Sequence, residues 1–295
     1  MNRRMNLRAV RGFTLVEAIV VIVIIGIIGA IVAVFIKAPI QGYGDTVARA
    51  EAGEEADLAL RRMAREIRLA LPNSVRVNDD GSAIEFLLTR TGGRYLAVED
   101  GATGGKPLDF VDAANKEFDV VGGLRSAVAK GDYVVVYNLG ASADMAPANA
   151  YGLAAADRNI ARVSEDVGEN GTTIKLDDNP FARDDPMPSP GRRFQVVSTP
   201  VTFRCESKDG ALVLTRYAGY PIRATMAVEM DKPSAALLAR RVAACEGIFS
   251  YAQSDVELRR SALVLLSLSL HTRSAGDASF GPVRLLHQVH VDNTP

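Results

Sequence analysis

The residue that asks for a chemical explanation is Glu17, an acid four positions into an otherwise apolar run from Phe13 to Ile36. A carboxylate inside a membrane helix costs at least about 2.5 kcal/mol, so it is read as functional, with a cation as its expected partner. Arg3, Arg4, Arg8 and Arg11 precede the run, and a Gly12–Phe13 junction separates them from it. A second reactive pair, Cys205 and Cys245, lies far downstream. If that part is exported, an even pair in one domain is expected to form a disulfide. Its loop of about 41 residues would stabilise the fold by roughly 4 kcal/mol in the chain-entropy picture. The alternative is a reduced pair with a catalytic or metal role, but no third and fourth ligand lies at suitable spacing.

Other reactive side chains form no convincing constellation. His287 and His290 in HQVH are three apart, which on a strand sends them to opposite faces, whereas ligation needs convergence. Asp177, Asp178, Asn179, Asp184 and Asp185 offer oxygen donors without the ordered alternation of a calcium loop. No phosphate-binding glycine loop, zinc spacing or Gly-x-Ser-x-Gly elbow is present. The sequence therefore predicts no catalytic residues, no metal, no cofactor and no enzyme activity.

The run from Phe13 to Ile36 would make a helix of roughly 36 Å, longer than a bilayer core of about 30 Å. The basic side should remain cytoplasmic, placing everything after Lys37 across the membrane. An ordinary secretory signal fits worse, because the run is too long and no Ala-x-Ala site follows it. The net charge of −1 over 295 residues gives no global field for nucleic acid. The pairs Arg192–Arg193, Arg240–Arg241 and Arg259–Arg260 are read as solvated faces. Tryptophan is absent, which argues against an aromatic platform for sugars or bases.

Beyond the run, Pro39, Gly42 and Gly44 predict a kink or melted turn, with Asp45 or Thr46 capping a new helix. From Thr46 to Leu71 the apolar residues Ala56, Leu60, Met63, Ile67 and Leu71 recur at helical spacing, a stripe suited to packing on a sheet. Glu51, Glu54, Glu55 and Asp57 precede Arg61, Arg62, Arg65 and Arg68, an order that suits the helix dipole. These charges read as a solvated face, with subunit docking as the alternative.

Most of the rest reads as strands: 83–88, 133–138, 173–176, 194–198, 201–205, 211–217, 262–270 and 283–291. Asn78-Asp79-Asp80-Gly81 and Lys208-Asp209-Gly210 are turn signals. Residues 234–243 suggest a short helix, and 91–107 and 141–191 look like loops. Four regions follow: a leader (1–12), a membrane helix (13–37), an amphipathic helix after the Pro/Gly break (38–72) and a β-rich domain (73–295).

The leader G-F-T-L-V-E after basic residues resembles the processing signal of type IV prepilins and type II secretion pseudopilins. Gly12, Phe13 and Glu17 fall at that superfamily's cleavage glycine, first mature residue and fifth-position glutamate. The resemblance implies cleavage between Gly12 and Phe13 by a prepilin peptidase and N-methylation of the new Phe13 amine. It also implies that Glu17 pairs with the Phe13 amine of a neighbouring subunit, each charge offsetting the other's desolvation. Implied partners are the peptidase, other major and minor pilin subunits and an inner-membrane assembly platform. The implied fold is α+β, type IV pilin-like, a long N-terminal helix on an antiparallel sheet, with the domain in the periplasm of a bacterial cell.

The segments VTFRC, LTRYAGY, ACEGIFSY, LVLLSLSL and VRLLHQVHVDNTP, with LRRMAREIRLALPNSVRV after the anchor, resemble proteins of mannose-sensitive haemagglutinin (MSHA) pilus biogenesis. That narrower likeness implies a minor, low-copy pilus subunit; a type II secretion minor pseudopilin and a membrane-tethered binding module are the alternatives. One departure from major pilins is that no proline falls inside the apolar run.

Overall fold

The computed structural model describes residues 12–100, 104–141, 148–153, 158–226, 233–253, 261–272 and 281–295. Contacts divide the chain into two units, the first ending at Glu51 and the second beginning at Ala52.

Helix α1 spans Leu15–Ile67. In the first unit its stretch Leu15–Val32 has mean hydropathy 3.1, and every residue of it is exposed. Its β-branched residues have modest helix propensity in water. In hydrocarbon, a helix is the way one segment satisfies all its own backbone groups. The expected Pro/Gly break does not divide the helix, because α1 is assigned continuously through residues 38–45. Proline removes only one helical hydrogen bond, and a long cooperative helix can carry that loss. Thr46 also departs from expectation: its hydroxyl donates back to the Gly42 carbonyl at 2.8 Å, inside the helix, rather than capping a new one.

In the second unit, Ala56, Leu60, Met63, Ile67 and Leu71 are all buried, as the stripe predicts, and Ala52 is buried with them. The alanines let the sheet approach closely while Leu60, Met63 and Ile67 fill the space between. The helix closes with tighter bonds, Leu69 N–H to Glu66 C=O and Ala70 N–H to Ile67 C=O, both at 3.0 Å. Pro72 and Asn73, the latter at φ 59°, then turn the chain onto the sheet.

Twelve strands follow: β1 (Arg76–Val77), β2 (Ala83–Tyr95), β3 (Glu117–Val121), β4 (Tyr133–Val135), β5 (Ile160–Arg162), β6 (Thr173–Lys175), β7 (Arg193–Lys208), β8 (Ala211–Ala218), β9 (Ser234–Ala239), β10 (Phe249–Gln253), β11 (Ser261–Leu270) and β12 (Val283–Asp292). Nine form one sheet in the order β5-β4-β7-β2-β3-β6, with β1 on β2, β8 on β7 and β9 on β8. Strands β10-β11-β12 form a second sheet. All the strand pairs are antiparallel. The architecture is α+β, as the sequence predicts.

Strand β7 organises the large sheet. Its first part pairs with the end of β2 and with β4, its second with the start of β2 and with β8. The sequence reads β7 as two strands, but Pro200 lies inside it opposite Leu87, at the edge of a register shift in β2. A proline cannot donate to the ladder, and irregular pairing is where it is tolerated. The core beneath α1 joins Met63 and Ile67 to Phe86, Phe203 and Leu214 from the large sheet and to Phe249, Val264 and Val289 from the small one. A second core gathers Tyr95, Phe118, Val134, Ile174 and Phe194.

Two local expectations are corrected. Residues 234–243 contain no helix; Ser234–Ala239 is β9, paired along β8. An Ala/Leu run is locally compatible with helix, but the open edge of β8 supplies backbone partners that an isolated helical turn cannot match. The glycine-rich start of the expected loop 91–107 is instead the end of β2. There, a Cβ on Gly92 would sit 2.7 Å from the Phe194 carbonyl, so close strand contact, rather than loop flexibility, requires glycine. β1, β3, β5 and β10 lie outside the strands expected from sequence, β5 within the stretch 141–191 expected to be loop. Both turn signals are turns, with Asp209 and Gly210 at φ 53° and 79° joining β7 to β8 as a two-residue hairpin.

Candidate functional site: the N-terminal motif

The described chain opens with Gly12, Phe13 and Thr14 outside the helix, followed by α1 from Leu15. Thr14 is the cap. Its Oγ1 accepts from the Glu17 N–H at 3.3 Å, and its carbonyl accepts from the Ala18 N–H at 3.2 Å. Thr14-Leu15-Val16-Glu17 therefore has the spacing of a capping box, a signal legible in the sequence alone. The cap fixes where the helix begins and leaves the Gly12–Phe13 bond in non-helical backbone. Phe13 is 73 % exposed, and nothing would meet a Cβ added at Gly12. A peptide bond in this setting is open to a protease that binds extended substrate.

Glu17 sits in the first turn of α1 and is exposed. It has no ion-pair partner among the described residues. Acids are favoured at a helix N-terminus, which lowers part of the cost of placing this one at the edge of an apolar span. Arg3, Arg4, Arg8 and Arg11 lie outside the described residues.

Cys205 and Cys245 are joined as a disulfide, with Cα atoms 5.3 Å apart. Cys205 is on β7, and Cys245 follows β9, so the bond fixes the segment after the sheet edge. The two histidines fall where the strand period puts them. His287 pairs in register with Leu266 and lines a recess with Arg61, Arg65 and Arg68, whereas His290 is opposite Leu263 on the exposed face.

The acidic segment is engaged in internal contacts. Asp178 pairs with Arg158, and the Asn179 amide donates to the carbonyls of Asp109 at 2.8 Å and Asn115 at 3.0 Å. Among the described residues no group of three or more His, Cys, Asp or Glu side chains gathers to hold a metal ion. The arginine pairs are less solvated than expected: Arg192 pairs with Asp100, and Arg241 with Glu55 at 3.0 Å. Arg259 and Arg260 lie outside the described residues. The helix charges also divide, since Glu55 and Glu66 reach the sheet while Arg61 pairs with Asp57 along the helix.

Residues 7–33 match the family described as the prokaryotic N-terminal methylation motif. No curated protein and no solved structure matches the chain. The motif supports a type IV prepilin-like protein, and the helix followed by an antiparallel sheet domain fits the pilin-like fold. It implies processing by a prepilin peptidase and assembly with other pilins, and the one such apolar helix among the described residues fits a membrane anchor crossing once.

Proposed function

We propose that this chain is a minor pilin-like structural subunit of an MSHA-type pilus. It is cut between Gly12 and Phe13, methylated at the Phe13 amine, and held in the bacterial inner membrane with its β-rich domain in the periplasm until assembly. Glu17 then pairs with the Phe13 amine of a neighbouring subunit. The observation that carries this reading is the juxtaposition of an exposed, non-helical Gly12–Phe13 bond with a capped helix whose apolar residues from Leu15 to Val32 are all exposed. That surface requires lipid first and other helices afterwards. The size of the domain and the C-terminal resemblance favour a minor pilus subunit over a major one. The role is structural rather than enzymatic.

A type II secretion minor pseudopilin would carry the same leader, and genome neighbourhood separates the two machines. A membrane-tethered periplasmic binding module is the reading from a different class. The deciding measurement is the N-terminus of the protein from cells with and without prepilin peptidase. A chain beginning at methylated Phe13 only when the peptidase is present supports the pilin-like route. A chain beginning at Met1 in both overturns it and leaves the binding module.

A further inference from the structure

Strand β2 has a gap along one side. Its other side is held by β7, but on this side its partners are β1 at Ile84 and Glu85, a bridge from Ala70 to Leu88, and β3 at Arg94 and Tyr95. Between these partners, residues 90–93 meet no second strand among the described residues. β3 does not continue across the gap. Gly122 and Gly123, at φ 82° and 75°, turn it away, and the Gly123 N–H bonds back to the Val120 carbonyl at 3.2 Å. An unpaired edge in the middle of a sheet is a template for another strand.

This gap forms the floor of an open cleft of about 810 Å³ whose lining is charged with one sign. Arg90, Arg94, Arg125 and Arg193 border it, all four are exposed, and no acid is among the lining residues. Arg90 is steadied by Asp132 at 3.0 and 3.2 Å, and Arg94 by Asp100 at 3.2 Å. Arg125 and Arg193 have no ion-pair partner among the described residues. The whole chain has a net charge of −1, so this concentration is local. Gly92, Gly93 and Gly191 keep side chains off part of the surface, while Thr91, Ser126 and Gln195 add polar groups. Basic side chains at an edge repel a second copy of the same edge, and they leave it open to a strand of opposite charge.

We propose that the cleft takes an extended acidic peptide segment of a partner protein, added as a strand along Arg90–Gly93 with its carboxylates on the surrounding arginines. Main-chain bonds to an open edge supply affinity, and the charges supply selectivity and a faster encounter. The planar guanidinium fork matches a carboxylate in two-point contact. Phe194 is the one aromatic in the lining and is buried, so the cleft offers no exposed ring for stacking bases. This surface is independent of the N-terminal motif.

The test uses the full chain in detergent and labelled peptides of alternating threonine and glutamate, about eight residues long, an ordinary strand length. The glutamate peptide should bind at least about tenfold tighter than its lysine counterpart, a difference of about 1.4 kcal/mol. Methylating alternate backbone nitrogens of the peptide should cost a similar factor, and so should the double change Arg125→Glu with Arg193→Glu, with the fold checked by circular dichroism. Equal binding of the lysine peptide overturns the proposal. Undiminished binding of the N-methylated peptide also overturns it, since that reports a charge patch without strand addition. Tighter binding of a DNA duplex at the same arginines overturns it in favour of nucleic acid.

Discussion

Arg76 donates from Nε to Glu85 Oε1 at 2.9 Å, and the carboxylate it neutralises is only 1 % exposed. Tyr220 and Thr202 hydroxyls occupy the other carboxylate oxygen at 3.0 and 3.2 Å. The guanidinium also reaches the Ala224 and Arg223 carbonyls at 2.6 and 3.0 Å and lies 3.8 Å above the Tyr151 ring. One buried charge pair thus joins β1, β2, β7 and two loops. A pair satisfied on every side is tolerated, but a pair missing one member is not.

Glu85→Ala should therefore destabilise the domain, by up to about 3–5 kcal/mol, because it leaves a guanidinium only 13 % exposed without its counter-charge. Thermal unfolding of the chain in detergent reads this directly. A smaller loss than for a surface Glu→Ala control would show that water reaches the site.

Removing the disulfide by Cys205→Ser with Cys245→Ser should cost about 4 kcal/mol for a separation of 40 residues. The loss should appear first at β9 and the residues after it, whose other ties are β8, the Glu55–Arg241 pair and a few single backbone bonds, from Ala243 to Ser269, from His271 to Arg241 and from Gly247 to Asp80. Hydrogen exchange of β8 and β9 amides before and after reduction checks the location. Uniform loss of protection across both sheets would contradict it.

Glu66 and Arg216 meet at 2.7 Å with their side chains 19 % and 17 % exposed, tying the last turn of α1 to β8. A hydrogen bond to a charged group in such a partly screened place contributes about 1.5–3 kcal/mol. A double-mutant cycle of Glu66→Gln and Arg216→Met should return a coupling in or just below that range. A coupling near zero would mean that the apolar stripe alone docks the helix.

Burial raises the Tyr95 hydroxyl to about 12, and desolvation also pushes Tyr151 and Tyr220 upward. The folded state keeps these protons after the unfolded chain begins to lose its own near pH 10, about the ordinary value for tyrosine. Their contribution is intact below pH 10 and is lost as pH rises toward 12 and beyond. The domain should hold its stability across neutral pH and unfold in alkali, with tyrosinate absorbance appearing together with the loss of structure. Tyr95→Phe should shift that transition to higher pH. An unchanged transition would take Tyr95 out of the cause.

Different parts of this molecule were legible to different degrees. The helix stripe from Ala56 to Leu71 and the Asp209–Gly210 hairpin could be read because each rests on neighbours in sequence. β9 could not, since an Ala/Leu run carries no strand signal until β8 offers it an edge. Gly92 and Gly93 read as loop because close approach of Phe194 across the ladder is invisible from either strand alone. The same holds for function. Gly12, Phe13 and Glu17 lie within six residues and announce themselves, whereas Arg94 and Arg193 come together only through the register of β2 on β7, and Arg125 joins them from the segment after β3.

Two separable roles are open to Glu17, cap and charge, and its substitutions tell them apart. As the third residue after the Thr14 cap it stands at the capping-box position, which glutamine fills as well as glutamate. As a charge it would neutralise the Phe13 amine of another subunit, which glutamine cannot do. Loss of the cap, tested by Thr14→Ala, should cost the helix start about 1 kcal/mol and leave cleavage and filament entry intact. Glu17→Ala and Glu17→Gln should both block filament entry while the protein remains in the membrane, measured by its recovery from sheared pili and from the membrane fraction. If Glu17→Gln assembles normally and Glu17→Ala does not, the residue acts through the cap and the charge-pairing role is wrong. If both fail, charge is what the neighbouring subunit reads.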